Sequence, residues 1–221
     1  CILCSMAVSD WEAFKATYIE DIELVSDPQF EGARCAKAKA GAVVCVLRKE
    51  TKQDNPLNPK IGTYVKNVAG FSEYTLAFYL RMTYNTECED YQGYSIYIHF
   101  GFDDAGNLLT GYAEIYYYDC GGETSIDSVD FCDKLAQQGW DTDLKDKWHW
   151  WSVEVFDDEN GNPTFRIRFA HNNAFGTEDK GEDNAIVIVE SKDYDKYKTT
   201  GGAVGLDLTD AYYVDLTKIW Y

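Results

Sequence analysis

Eleven side chains in the middle of this 221-residue sequence combine aromatic rings with charged groups at alternating positions. They are Tyr79 and Arg81, Tyr97 and His99, Tyr112, Glu114 and Tyr116, Trp150 and Glu154, and Arg166 and Arg168. In extended backbone, alternate residues share one face, so each group projects to the same side of its strand. Flat rings stack on the apolar faces of sugars, and Arg, Glu and His direct hydrogen bonds at hydroxyls. The set is chemically suited to a glycan. A solvated sheet face uses the same residue types, with Tyr favoured for its β propensity and Arg paired with Glu across strands.

Two acidic segments offer hard oxygen ligands of the kind Ca²⁺ prefers: Asp103, Asp104 and Asn107, and Asp157, Asp158 and Asn160. Neither has the spacing of an EF-hand loop, and tight turns use the same residues for backbone reasons. Asp207, Asp210 and Asp215 form a weaker candidate of the same type. The sequence contains no G-x-S-x-G, no phosphate-binding P-loop and no H-E-x-x-H. The three histidines, His99, His149 and His171, are scattered.

Seven cysteines, at positions 1, 4, 35, 45, 88, 120 and 132, exceed ordinary cytosolic usage and lack zinc-ribbon spacing. Disulfides in a secreted chain are the expectation, with reduced structural thiols as the alternative. Cys35 and Cys45 flank a short turn and are expected to face each other across a hairpin. Cys120 and Cys132 bracket a polar, Gly-rich segment that a bridge would close as a loop. The odd count leaves one thiol over. Cys1 and Cys4 are the candidates for a bond to another subunit, against an internal Cys1–Cys4 or Cys4–Cys88 bridge. A first residue Cys1 fits a processed, secreted terminus, with a lipid-modified terminus as the lesser alternative.

Strands must position these groups, because alternation of period two dominates the sequence. Tyr74, Leu76, Phe78, Leu80 and Met82 fall on one side, opposite Thr75, Ala77, Tyr79, Arg81 and Thr83. Tyr94, Ile96, Ile98 and Phe100 repeat the pattern, and Trp151, Val153 and Val155 form the apolar side of a strand over 148–156. Asn160-Gly161 is a hairpin signal leading to a return strand through Phe165, Ile167 and Phe169. Earlier strands are expected over 14–24, 42–47 and 61–68, with a loop over 52–60 and one short helix over 130–139. Strands between 72 and 170 read as consecutive hairpins in a single sheet. About eleven strands at this spacing predict an all-β, antiparallel, two-sheet sandwich with one short helix at most. One domain over 1–221 is expected, with 1–12 as a cysteine-containing extension.

The segments WHWWSVEVFDDENGNPTFRIRF (148–169) and GGAVGLDLTDAYYVDLTKIWY (201–221) resemble the concanavalin A-like, laminin-G-like jelly-roll superfamily. The resemblance implies a jelly-roll sandwich with a concave, ligand-bearing sheet face and a final strand paired beside the first, here 14–24. Jelly-roll polysaccharide lyases combine Arg with His and Tyr in β-elimination, roles that Arg81, His99 and one of Tyr97, Tyr112 or Tyr116 would fill. Jelly-roll glycosidases carry E-x-D-x-x-E. The nearest stretch, Glu154 to Glu159, has Phe156 in place of the central acid, which disfavours retaining hydrolysis.

With 38 acidic against 20 basic residues the formal charge is −18, a field that repels nucleic acid, anionic lipid and polyanionic substrates. No apolar run approaches the roughly 20 residues of a membrane-crossing helix. The sequence therefore predicts a secreted, non-catalytic, lectin-like module, with Ca²⁺ as its candidate cofactor. A self-associating, disulfide-linked extracellular subunit is the alternative, and a polysaccharide lyase the third reading.

Overall fold

The computed structural model describes residues 8–26, 34–171, 176–195 and 201–221. Cys1 and Cys4 lie outside these residues. Fourteen strands are present among them: β1 Trp11–Phe14, β2 Ile22–Ser26, β3 Arg34–Ala38, β4 Val43–Arg48, β5 Lys60–Asn67, β6 Glu73–Asn85, β7 Asp90–Phe102, β8 Leu108–Asp119, β9 Gly122–Asp130, β10 His149–Asp157, β11 Pro163–Ala170, β12 Ile186–Lys192, β13 Ala203–Thr209 and β14 Tyr212–Trp220. They build two seven-stranded sheets, ordered β1-β4-β13-β6-β7-β8-β9 and β12-β11-β10-β5-β14-β3-β2, with every pairing antiparallel. We call them the first and second sheet.

Alternation sorts the side chains between the layers. Leu76 and Phe78 of β6, Ile96, Ile98 and Phe100 of β7 and Ile115 of β8 meet Trp151, Val153 and Val155 of β10 and Phe165, Ile167 and Phe169 of β11 in one continuous core. Burying a side chain of this size stabilises the fold by roughly 1.5–3 kcal/mol. The polar and aromatic residues of the opposite phase are thereby turned to the outer faces of the two sheets.

Several expectations are corrected. The 14–24 strand does not form. β1 ends at Phe14, Lys15 and Ala16 both take left-handed backbone (φ 55 and 54), and the chain re-emerges as β2 in the other sheet. The final strand, β14, lies between β5 and β3 and not beside the first strand. Among the described residues three short α-helices are present where one was expected: α1 Lys49–Asp54, which overlaps the start of the expected loop, α2 Cys132–Gln137 and α3 Glu178–Asn184. α1 and α3 are polar and carry no apolar stripe for a periodicity reading to detect.

Both proposed disulfides are also corrected. Cys35 sits in β3 and Cys45 in β4, on different sheets, so the turn between them crosses layers instead of closing a hairpin; both side chains are buried. Cys120 and Cys132 stand at opposite ends of β9, about 30 Å apart at some 3.3 Å per residue, too far to bridge. Cys120 bonds Cys88 instead, tying the β6–β7 turn to the β8–β9 turn. Cys132 is free, its thiol donating to the Gly111 carbonyl at 3.5 Å.

Candidate functional site

The consecutive hairpins do not stay in one sheet. β6 to β9 belong to the first sheet and β10 to β12 to the second, so the eleven candidate residues divide into two groups on opposite sides of the molecule.

On the first sheet, register sets Thr75, His99, Tyr112 and Asp130 in one row across β6 to β9, and Ala77, Tyr97, Glu114 and Ser128 in the next. Tyr79, Ser95, Tyr116 and Ser125 form a third. His99 stacks on Tyr112 with ring centroids 4.3 Å apart and planes 15° from parallel. His99 Nε2 donates to Glu114 Oε1 at 2.6 Å, and Nδ1 shares a hydrogen bond with Thr75 Oγ1 at 3.1 Å. The second Glu114 oxygen accepts from Tyr116 Oη at 2.5 Å, and Tyr116 packs edge-on to Tyr97 at 5.7 Å. Glu114 thus fixes a histidine and a tyrosine at once, and His99, Tyr112, Tyr97 and Tyr116 remain half-buried with their outer surfaces open.

A cleft adjoins each end of this band. One, of about 400 Å³, is lined by Phe71, Thr75, His99, Thr110 and Tyr112. The other, of about 850 Å³, lies between the Lys15 loop and the turns joined by the Cys88–Cys120 bond, and reaches Tyr97, Tyr118 and Glu123. Lys15 Nζ lies 4.3 Å from the Tyr118 ring centre and 4.6 Å from that of Tyr79, donates to Tyr97 Oη at 3.4 Å and is 3.8 Å from Glu123. Tyr97 also donates to Glu123 at 2.5 Å. Burial and then Glu123 push the Tyr97 phenol well up, and the Glu114 hydrogen bond pushes Tyr116 to about 12. Both hydroxyls therefore remain protonated donors at neutral pH.

Tyr79 and Arg81 are withdrawn from the open surface. Tyr79 is 1% exposed and donates to the buried Asp207 carboxylate at 2.6 Å. A bulge in β6 between Leu80 and Thr83, with Arg81 at φ 54, breaks the alternation there. Arg81 is buried, donating to the Leu57 carbonyl (2.6 Å) and to Asp157 (3.0 Å) of the opposite sheet. The Arg–His–Tyr set of an eliminase is not assembled. Glu123 is opposite Tyr118, four residues along β8 from Glu114, which is about 13 Å of backbone.

Trp150, Glu154, Arg166 and Arg168 occupy the outer face of the second sheet, where α3 covers part of them. Trp150 is fully buried, its Nε1 donating to Glu182 of α3 at 2.9 Å. It packs between Gly62 and Gly181, where an added Cβ would come within 2.3 and 2.6 Å of its ring. Arg168 pairs with Glu154 at 2.9 Å and Arg166 with Glu190 at 2.7 Å, a charge ladder across strands.

The acidic loops use their oxygens to close turns. Asp103 accepts from the Ala105 and Asn107 amides and from Asn107 Nδ2, while Asp104 is 3.6 Å from Lys145. Asp158 accepts from the Asn160 and Asn162 amides and pairs with Lys192, which together hold its carboxyl well below the usual range. Asp157 is engaged by Arg81. Asp210 accepts from the Gly41 amide and Asp215 from the Leu216 amide. Among the described residues no group of three or more His, Cys, Asp or Glu could hold a metal ion.

With this architecture in view, comparison with solved structures is decisive for fold. Carbohydrate binding module CBM66 of Bacillus subtilis superposes over 96% of this chain and 96% of its own, with TM-score 0.54 and 10% identity. The chain has the concanavalin A-like jelly-roll fold. A legume lectin-like domain of Entamoeba histolytica matches over 97% of each chain at TM-score 0.48 and 10% identity. No family model and no curated protein matches the sequence. At these identities the likeness concerns the arrangement of strands, and residue roles in this jelly roll rest on its own geometry.

Sequence reasoning missed Lys15 and Glu123 as members of this surface, and Asp207 as the buried acceptor beneath it. Glu123 carried a readable signal, since polar alternation continues through β9. Lys15 did not, because its position depends on two consecutive left-handed residues that no composition rule anticipates.

Proposed function

We propose that the chain is a secreted, non-catalytic glycan-binding module whose ligand lies across the outer face of β6 to β9. The observation that carries this is the His99–Tyr112 stack, locked through Glu114 to Tyr116 and flanked by Tyr97, on an open sheet face between two clefts. Ring faces would meet the apolar faces of a sugar, and the fixed hydroxyl, imidazole and carboxylate groups would meet its hydroxyls without rotamers having to be ordered on binding. The carbohydrate-binding name of the similar Bacillus subtilis module supports the same reading. The Cys88–Cys120 disulfide supports an oxidising compartment, where such bonds persist.

The test is a glycan array followed by calorimetry on whichever glycan binds. Tyr112→Ala is expected to weaken that glycan by about two- to tenfold, taking the roughly 0.5–1.5 kcal/mol that a stacked aromatic pair contributes beyond area burial as the scale. Glu190→Ala, on the opposite face, is expected to bind as the parent does. An array without a hit, or a hit indifferent to Tyr112, Tyr116 and Tyr97 substitutions, refutes the proposal.

A further inference from the structure

The larger cleft carries an unusual internal clue, in that the chain's own ammonium groups already rest on its tyrosines. Lys15 Nζ sits against the Tyr118 and Tyr79 rings and beside Glu123 in the inner half. Lys52, held by Glu12 at 2.8 Å, reaches to 5.9 Å from the Tyr91 ring centre at the rim. Cations within about 6 Å of a ring face are attracted by its quadrupole, more strongly as water is excluded. The outer half repeats the same chemistry. Tyr84 and Tyr91 meet edge-on at 5.3 Å, and Tyr84 is half exposed. Asp90 beside them is fixed by the Tyr118 hydroxyl at 2.7 Å, and Glu89 makes no ion pair among the described residues. The lining holds four carboxylates, Glu12, Glu89, Asp90 and Glu123, against one ammonium, Lys15. The Cys88–Cys120 bond fastens the wall that bears Glu89 and Asp90.

We propose that this outer half is a subsite for a protonated amine, and that the glycan recognised by the module carries a free amino sugar placed against Tyr84, Tyr91, Glu89 and Asp90. The inference rests on the glycan-binding reading and narrows its ligand class. The cleft leaves about 850 Å³ open beside the Lys15 side chain that lines it, the size that ligand sites typically have. An N-acetylated sugar would present a neutral amide to the same carboxylates and lose the charge-assisted contacts. An acidic sugar would meet like charge at Glu89 and Asp90.

Calorimetry with three pentasaccharides tests this at about pH 6 and near-physiological salt: a glucosamine pentamer, its fully N-acetylated counterpart and cellopentaose. The glucosamine pentamer is expected to bind at least about fivefold more tightly than the other two, as one cation–π contact with a carboxylate implies. The double variant Glu89→Gln/Tyr84→Ala, at two exposed positions, is expected to bring the ratio near one. Glu159→Gln, in the distant β10–β11 turn, is expected to leave it unchanged. Equal binding of all three pentamers by the parent chain overturns the amine subsite while the glycan reading stands. A preference that survives the double variant also overturns it, since attraction to the overall charge would then be the cause. Absence of binding by any of the three, together with an empty array, removes the glycan reading and this inference with it.

Discussion

Asp207 and His149 are both buried, and burial moves their ionisation in directions that oppose each other across the acid range. Desolvation raises the Asp207 carboxyl to about 6, with hydrogen bonds from Tyr79 and Cys45 recovering only part of the cost. The native state then holds a proton that the unfolded chain releases near pH 4, so this group's contribution to stability falls as pH rises from about 4 to 6. His149 is lowered to about 3 by burial, its Nε2 engaged by the Leu144 carbonyl and its Nδ1 without a partner. Here the unfolded chain binds the extra proton, so stability falls as pH drops from about 6.5 toward 3. Urea titrations of Asp207→Asn at steps from pH 4 to 7 should show stability climbing more steeply with pH than in the parent, with a gain of up to roughly 3 kcal/mol near neutrality at 1.36 kcal/mol per pKa unit. His149→Gln should flatten or reverse the parent's slope. Identical pH profiles for all three proteins would show that neither group titrates as its burial dictates. Neither role was legible in the sequence. Asp207 reads there as one more acidic residue of a C-terminal segment, and only pairing of β13 with β4 and β6 places it beneath Tyr79.

Strand phase was largely legible because a sheet face repeats every second residue, and Leu76, Ile98, Val153 and Ile167 are core residues as their alternation requires. Sheet membership was not, because local alternation is the same whether the next strand pairs beside its predecessor or crosses to the other layer. The segment through α2 makes that crossing between β9 and β10, and it carries Trp150 to the far side from Tyr97. Arg81 was misplaced for a related reason, since one bulge inverts the phase of everything after it. α3 supplies the element-scale test. It lies on Trp150 through Gly181, and its Glu182 receives Trp150 Nε1, Lys60 and, at 3.8 Å, Arg168. A methyl group at 181 would stand 2.6 Å from the indole. Gly181→Ala should therefore lift α3 and cost about 1–3 kcal/mol in denaturant unfolding, the usual penalty of overpacking. Tryptophan emission should shift red as Trp150 meets water, while glycan affinity at the opposite sheet stays at the parental value. Unchanged stability and emission would mean that α3 does not seal this face.

Across the whole molecule, two electrostatic effects of opposite sign compete. Ion pairs such as Arg168–Glu154, Lys60–Glu182 and Arg81–Asp157 favour the fold and are partly buried, so salt screens them weakly. The formal charge of −18 disfavours it through repulsion among exposed carboxylates, and that term is long-ranged and strongly screened. Raising ionic strength from about 10 to 150 mM shortens the Debye length from roughly 30 to 8 Å, which removes repulsion between distant acids while leaving contacts at 3 Å nearly intact. The midpoint of thermal unfolding should consequently rise with salt, by a few degrees for each kcal/mol recovered in a chain of this length. A single core cluster takes residues from both sheets, so far-ultraviolet circular dichroism and tryptophan fluorescence should report one coincident transition at each salt concentration. A midpoint that falls with salt would mean that the ladder on the α3 face outweighs the surplus of carboxylates. Two separate transitions would mean that the sheets do not unfold as one unit. Salt has the reverse sign for an amine-bearing ligand, whose attraction to the cleft is screened by the same ions. Stability that rises while glucosamine affinity falls over one salt series would thus separate the charge of the whole surface from the charge gathered at Glu89 and Asp90.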